Sequence, residues 1–245
     1  MIGFVLIMTT LPPPPLDIQP TDFLRTVPLF EGADERLLAI VADLVQRRRF
    51  SAGDILFREG DIGEAVYLLK NGTVKLSKVD LGGHEKTLTL LRPPEYFGEM
   101  APLTESTRSA TALAVSNVDA YLLFHDDFHR LLKESHLVGR NVNLTLARRL
   151  RSMDDESQIL SYQDAQGRVA YVLLQLYRSG IVELSDGPPL VRLTHQELAN
   201  MAGTSRETVT RALKALEEEA VIETRPKEIL MVDREGLEEI LHGIR

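Results

Sequence analysis

The chain has 245 residues, more than one small domain needs, and with 44% apolar and 26% charged residues it can bury two cores. Its net charge of −8 excludes a protein that coats nucleic acid by bulk attraction; a DNA reader with this balance must gather its positive charge on one small face. The absence of cysteine excludes disulfides, thiolate catalysis, Cys-ligated zinc and iron–sulfur clusters, and fits a cytoplasmic location.

Residues 1–8 are an apolar run too short to span a bilayer, without the basic start or small-residue cleavage site of a signal peptide. Four prolines follow at 12–15, so residues 1–20 are expected to be a disordered or polyproline tail, with Met8 a second candidate start. Short helices are expected at residues 21–24 and 34–44, the second capped within residues 32–34. From Phe50 to Phe124 short apolar runs alternate with Gly53-Asp54, Gly60-Asp61, Asn71-Gly72 and Gly82-Gly83. That texture predicts an all-β barrel or sandwich, with Asn71-Gly72 as a hairpin turn.

From Asp126 to about Tyr162 the period is helical. Val138, Val142, Leu146, Leu150, Met153, Ser157 and Leu160 recur at steps of three and four, a narrow seam that predicts pairing with a copy of the same helix. Packing of that stripe on its own β domain is the alternative. Beyond it, helices are expected at residues 169–177, 196–201 and 205–219. Extended pieces at 221–224 and 229–232 flank Arg225-Pro226-Lys227-Glu228, and a helix at 234–241 closes the chain.

The stretch from Leu193 to Leu213 is the most informative. Thr194 and Glu197 form a capping box, Gly203 ends the first helix, and Thr204 or Ser205 caps the second. Val209, Leu213 and Leu216 face inward, leaving Arg206, Glu207, Thr210, Arg211 and Lys214 outward. Arginine can bond a guanine edge bidentately, glutamate can accept from cytosine N4, and threonine can touch a thymine methyl. Lys214, Arg225 and Lys227 suit phosphates, and Thr194 and Ser205, at the two helix starts, complete the DNA-facing set. The alternative is a plain helical hairpin with a solvated charged face.

Ser205-Arg206-Glu207-Thr208-Val209 followed by Arg211 resembles the recognition helix of the cyclic-AMP receptor protein / fumarate-nitrate regulator family, and the likeness runs from about Asp22 to Val232. The resemblance implies an α+β chain: an N-terminal jelly-roll β-barrel of the cyclic-nucleotide-binding type (21–125), a long dimerisation helix (126–163) and a C-terminal winged helix-turn-helix domain (164–245). It also implies that Arg206, Glu207 and Arg211 read a palindrome with TGTGA-like half-sites, that residues 164–167 are a hinge, and that the partners are double-stranded DNA, a second copy of the chain and RNA polymerase, with no membrane. Phe97-Gly98-Glu99-Met100-Ala101, with Arg108-Ser109-Ala110, resembles the family's phosphate-binding cassette. There Gly98 permits close backbone approach, Glu99 accepts from a ribose hydroxyl, and Arg108 with Ser109 receives a cyclic phosphate. A Glu99–Arg108 salt bridge in an empty domain is the alternative. Cyclic AMP is the implied effector.

One departure stands out. Aligned on Ala147-Arg148-Arg149-Leu150, the positions that hold the adenine in cyclic-AMP-responsive members are Met153 and Asp154 rather than small polar residues. Asp154 can accept from an adenine amino group, and a related nucleotide or an effector-independent factor stays open. No metal, haem or iron–sulfur cluster is expected: His84 at a turn reads as solvated, and His125, His129 and His136 as a helix face. An enzyme of the metal-dependent cupin type would need several histidines converging within the strands, where only His84 lies. A cyclic-nucleotide-binding module acting on a protein partner would carry no DNA reader.

Overall fold

The computed structural model describes residues 20–184 and 187–244. The tail expected at residues 1–20 lies outside the described residues except for Pro20, which opens helix α1 (Pro20–Thr26). A 3-10 turn (Pro28–Phe30) leads to α2 (Glu35–Leu44), which starts where it does because the Asp34 carboxylate accepts from the Leu37 N–H at 2.8 Å.

Eight strands follow: β1 (Gln46–Phe50), β2 (Ile55–Phe57), β3 (Ala65–Asn71), β4 (Val74–Val79), β5 (Glu85–Leu91), β6 (Tyr96–Phe97), β7 (Thr111–Ala114) and β8 (Val118–Phe124), with helix α3 (Met100–Thr104) between β6 and β7. They form two antiparallel four-stranded sheets, ordered β1-β8-β3-β6 and β2-β7-β4-β5. The expected barrel is therefore corrected. Each sheet keeps two edges, and no named strand of one pairs with a named strand of the other. Edges β6 and β2, two and three residues long, are too short to carry the staggered pairing that closure requires, and the longer edges β1 and β5 do not pair with each other. Asn71-Gly72 likewise makes no hairpin: β3 and β4 belong to different sheets, so this turn is a corner between them.

The sandwich explains an unbroken apolar run. Along β3, Ala65, Tyr67 and Leu69 face the other sheet and share a core with Val74 and Ala112 of that sheet and with Phe97 and Leu122 of their own. Val66 and Leu68 face a helical layer of Phe23, Leu24, Leu38, Val41 and Phe128. A strand buried on both faces loses the apolar–polar alternation.

The helical period from residue 126 resolves into α4 (His125–Glu134) and α5 (His136–Tyr162), broken at Ser135, whose side chain caps α5. The seam divides along its length. Val138 and Val142 are buried against the helical layer, and the Asn141 amide donates to the carbonyls of Leu29 and Glu31 at 3.2 and 2.9 Å. Further on, Leu150 and Met153 are 61% and 65% exposed.

The second domain comprises α6 (Ala165–Arg178), β9 (Leu190–Val191), α7 (His195–Ala202), α8 (Arg206–Glu218), β10 (Ile222–Arg225), β11 (Glu228–Met231) and α9 (Arg234–Leu241). Its core gathers Leu173, Leu174, Leu198, Leu213, Leu216, Ile229 and Leu237 from five of these seven elements. The strands form a three-stranded sheet ordered β10-β11-β9. The domain rests on β5: Lys86 Nζ donates to the Met201 carbonyl at 2.7 Å, the Asn200 amide to Glu85 Oε2 at 3.1 Å, and Leu90 packs on its core. Among the described residues no helix is long and apolar enough to cross a membrane.

Leu173 is fully buried in the second core. Leu173→Ala is expected to cost about 2–5 kcal/mol, read as a lowered denaturant midpoint.

Candidate effector pocket and DNA-reading helix

The pocket opens where β6 ends and α3 begins. Gly98 sits at φ +80°, and a Cβ there would lie 2.7 Å from Arg108 Nη1, so no other residue lets the arginine approach this closely. Arg108 is 4% exposed. Its Nη1 donates to the Gly98 carbonyl at 2.6 Å and Nη2 to the Ala65 carbonyl at 2.8 Å, and its guanidinium lies 4.2 Å from the Phe57 ring centroid. Burial pulls its pKa below the ordinary arginine value.

Glu99 is 1% exposed, yet it does not pair with Arg108. Its Oε1 accepts from Arg149 Nη1 on α5 at 2.6 Å, and Arg149 Nη2 donates also to the Tyr96 carbonyl at 2.5 Å. The Glu99–Arg108 bridge held open by the sequence is thus replaced by a Glu99–Arg149 bridge. Two polar atoms in the pocket wall are buried without a partner among the described residues: Glu99 Oε2 and Arg108 Nε. One is an acceptor and the other a donor, both desolvated, and each costs free energy until a ligand or water reaches it.

Phe57, Leu76, Phe97, Ala101 and Ala110 complete the walls with Gly98, Glu99, Met100, Arg108, Ser109 and Arg149, around a cavity of about 60 Å³. Met100 and Ser109 are exposed at the rim, the Ser109 hydroxyl 3.9 Å from Met100 Sδ. Met153 and Asp154 are exposed on α5 beyond Arg149 and do not line the pocket. Arg149 was missed by sequence reasoning. Arg148-Arg149 is visible as a pair, but which of the two faces the pocket depends on how α5 docks.

The reading face is built by local chemistry. Thr194 and Glu197 form the capping box at the start of α7, and Gly203, at φ +61°, ends it in the left-handed region. Ser205 then caps α8 by accepting from the Thr208 N–H. Val209, Ala212, Leu213 and Leu216 are buried, whereas Arg206, Glu207, Thr210, Arg211 and Lys214 are exposed together on the outer side. Hydrogen bonds from its own backbone N–H and the Ser205 hydroxyl hold the Glu207 carboxyl below the usual carboxylate range, so it stays an acceptor. Arg225 and Lys227 are exposed beside the β10–β11 turn. His84 is paired with Asp80 at the surface, and no group of three or more metal-ligating side chains occurs among the described residues.

A nucleotide-type pocket in a β-sandwich, followed by a helix-turn-helix, defines a class of regulator. The Cyclic nucleotide-binding domain family matches residues 47–135 and the Crp-like helix-turn-helix domain family residues 167–240. The chain is similar to the Cyclic AMP receptor protein of Thermus thermophilus, 43% identical over 89% of this chain and 98% of that protein. It is also similar to the CRP-like cAMP-activated global transcriptional regulator of Mycobacterium tuberculosis, 30% identical over 88% and 97%. Among solved structures, the Thermus thermophilus Catabolite Activator Protein is similar at 44% identity, covering 89% of this chain and 100% of that one, with a TM-score of 0.51. The chain belongs to the CRP/FNR family of transcriptional regulators. It is a DNA-binding transcription regulator with a cyclic-nucleotide-binding type domain, not an enzyme.

Removing Arg149 leaves a desolvated carboxylate. Arg149→Met is expected to destabilise the fold by about 2–4 kcal/mol, below the full buried-pair cost because Arg149 is itself 33% exposed. Adding Glu99→Gln should restore most of the loss, read as the coupling energy of a double-mutant cycle in denaturant.

Proposed function

We propose that the chain acts as a homodimer that reads a TGTGA-like palindrome and is gated by cyclic AMP or a related nucleotide. The observation that carries the effector reading is the pair of unpartnered polar atoms in one pocket, Glu99 Oε2 and Arg108 Nε. A ribose hydroxyl donating to the first and a cyclic phosphate accepting from the second would satisfy both. Gly98, Met100 and Ser109 frame that ligand. A base directed along α5 would meet Met153 and Asp154, the latter as acceptor for an amino group. The names of the Thermus and Mycobacterium relatives support cyclic AMP as the first nucleotide to test.

Pairing through the open half of the α5 seam, at Leu150 and Met153, supports the dimer. In such a dimer two α8 helices present Arg206, Glu207, Thr210 and Arg211 to half-sites about 34–36 Å apart, while Thr194, Ser205, Lys214, Arg225 and Lys227 engage the backbone. Ligand shifts the balance between arrangements of the two helices only by its differential affinity for them. RNA polymerase is the expected protein partner, and the cytoplasm the expected location.

An effector-independent regulator is the second reading, favoured by a specific observation. Arg149 already neutralises Glu99, and two backbone carbonyls already hold Arg108, so both side chains keep their places without ligand.

The test is titration of the full chain onto a TGTGA-type palindrome and a scrambled duplex at fixed salt, with and without cyclic AMP. Specific binding only with the nucleotide is expected; equal specific binding in both selects the second reading, and no specific binding in either overturns the DNA code. Arg108→Ala should abolish the nucleotide response in the same titration. Arg206→Ala should cost about 1–3 kcal/mol and relax preference at one base pair per half-site, whereas uniform loss on every duplex would make Arg206 a phosphate contact.

A further inference from the structure

Helix α3 ends after five residues, and its last turn leaves one carbonyl without a local partner. Glu105 and Ser106 both direct their backbone N–H groups to the Ala101 carbonyl, as the chain leaves the helix through Glu105 at φ +52°. The neighbouring Pro102 carbonyl is met instead from α4, where His129 places Nε2 2.8 Å from it. A carbonyl can only accept, so Nε2 carries the hydrogen. Among the described residues this is the one hydrogen bond that joins α3 to another helix or strand. The donor is itself held: Phe128 and Leu131 of α4 are buried, and the half-buried His129 ring lies edge-on to Phe128 and 4.4 Å from the His125 ring. Helix α3 also rests on the buried Gly63, where a Cβ would stand 2.3 Å from Ala101 Cβ, far inside contact distance. The Glu64 carbonyl accepts from the His125 N–H at 2.8 Å, so the two supports are joined to each other.

We infer that His129 is a positioning residue of the effector pocket, holding the α3 wall where a nucleotide needs it; this rests on the proposed effector role of that pocket. Met100 and Ala101 of α3 line the pocket, and Glu99 immediately precedes them. A helix of five residues has too little pairing of its own to fix its placement, so that placement depends on what grips it from outside. Leu103 adds apolar packing on the helical layer, which tolerates a slide that a directed bond does not. Gly63 sets how near α3 comes, and His129 keeps it there. Without the tether α3 samples other placements in the free chain, and apparent affinity falls with the fraction of chains whose wall stands ready. His129 does not line the pocket and acts only through Pro102.

The experiment titrates cyclic AMP into the full chain in a calorimeter. His129→Phe keeps an aromatic ring and removes the donor, and its nucleotide affinity should fall about fivefold, the weight of one net hydrogen bond. The number of sites per chain should stay the same, whereas a merely structural role would show as fewer competent chains at unchanged affinity. His129→Gln carries an N–H at the same number of bonds from Cβ and should bind within about twofold of the parent. Gly63→Ala forces α3 from its seat, and in that background His129→Phe should cost less than about twofold, because the tether no longer holds the productive placement. The positioning role is ruled out, with the effector reading intact, if His129→Phe binds like the parent, if His129→Gln loses as much as His129→Phe, or if the losses at 63 and 129 multiply. A parent chain that takes up no cyclic AMP overturns the cyclic-AMP reading, and the role of His129 with it.

Discussion

A carboxylate cut off from water must be neutralised, and at Glu99 the counter-charge comes from outside the sandwich. Arg149 reaches in from α5 to accept that duty, and its second amino group binds the Tyr96 carbonyl on β6. One contact thus fixes the wall of the pocket and the register of the long helix against it. The same helix runs on to Tyr162, where Gln163 and the Asp164 cap turn the chain into the second domain. Whatever changes the partner of Glu99 changes the seat of the helix that leads to the DNA reader. A neutral donor to Glu99 Oε2 would leave Arg149 in place, whereas an anionic group near it would draw the guanidinium away.

The second domain is held to the first by contacts of a different kind. Lys86 on β5 donates to the Met201 carbonyl near the end of α7 and pairs with Glu156 of α5 at 2.8 Å, so one side chain ties sheet, long helix and reader. A cation at a helix C-terminus meets carbonyls without helical partners and the negative end of the dipole. Both members of the Lys86–Glu156 pair are 30% exposed, which limits it to about 0–1 kcal/mol. The buried core of each domain is worth far more than this junction. Each domain therefore keeps its own shape while their relation can shift by a few kcal/mol, the scale on which a ligand's differential affinity operates.

What the sequence made legible was local. The caps at Asp34, Thr194 and Ser205 and the left-handed Gly203 depend on residues within a turn of one another, and all four stand as expected. Asn71-Gly72 was read correctly as a turn and wrongly as a hairpin, because a turn's residues encode its backbone angles and not the sheet its second strand joins. Strand β1 escaped notice: its Gln46-Arg47-Arg48-Arg49 run has no apolar period, and Arg47 is instead matched to Asp119 across the sheet at 2.7 Å. The break at Ser135 hides inside a continuous helical period. Arg149 was out of reach for a related reason, since its partner Glu99 lies 50 positions away and only the fold brings the two together.

The charges on α8 run against the helix's own preference. A helix favours anions at its N-terminus and cations at its C-terminus. Here Arg206 and Arg211 lie in the first two turns, with only Glu207 among them favoured by the dipole, while Glu217, Glu218 and Glu219 stand at the end. The terminal carboxylates are compensated individually. Glu217 accepts from the Thr224 N–H and hydroxyl at 3.0 and 2.9 Å, bonds that hold its carboxyl below the usual range and pin β10 to α8. Glu218 lies 3.7 Å from Lys214, and Glu219 accepts from the Gln166 amide. At the other end Arg206 gains nothing from the dipole. A surface that gives up local stability in this way is a surface shaped by its partner. On a chain of net charge −8, this polarity makes the N-terminal end of α8 the end that would attract a phosphate backbone and the C-terminal end the one that would repel it.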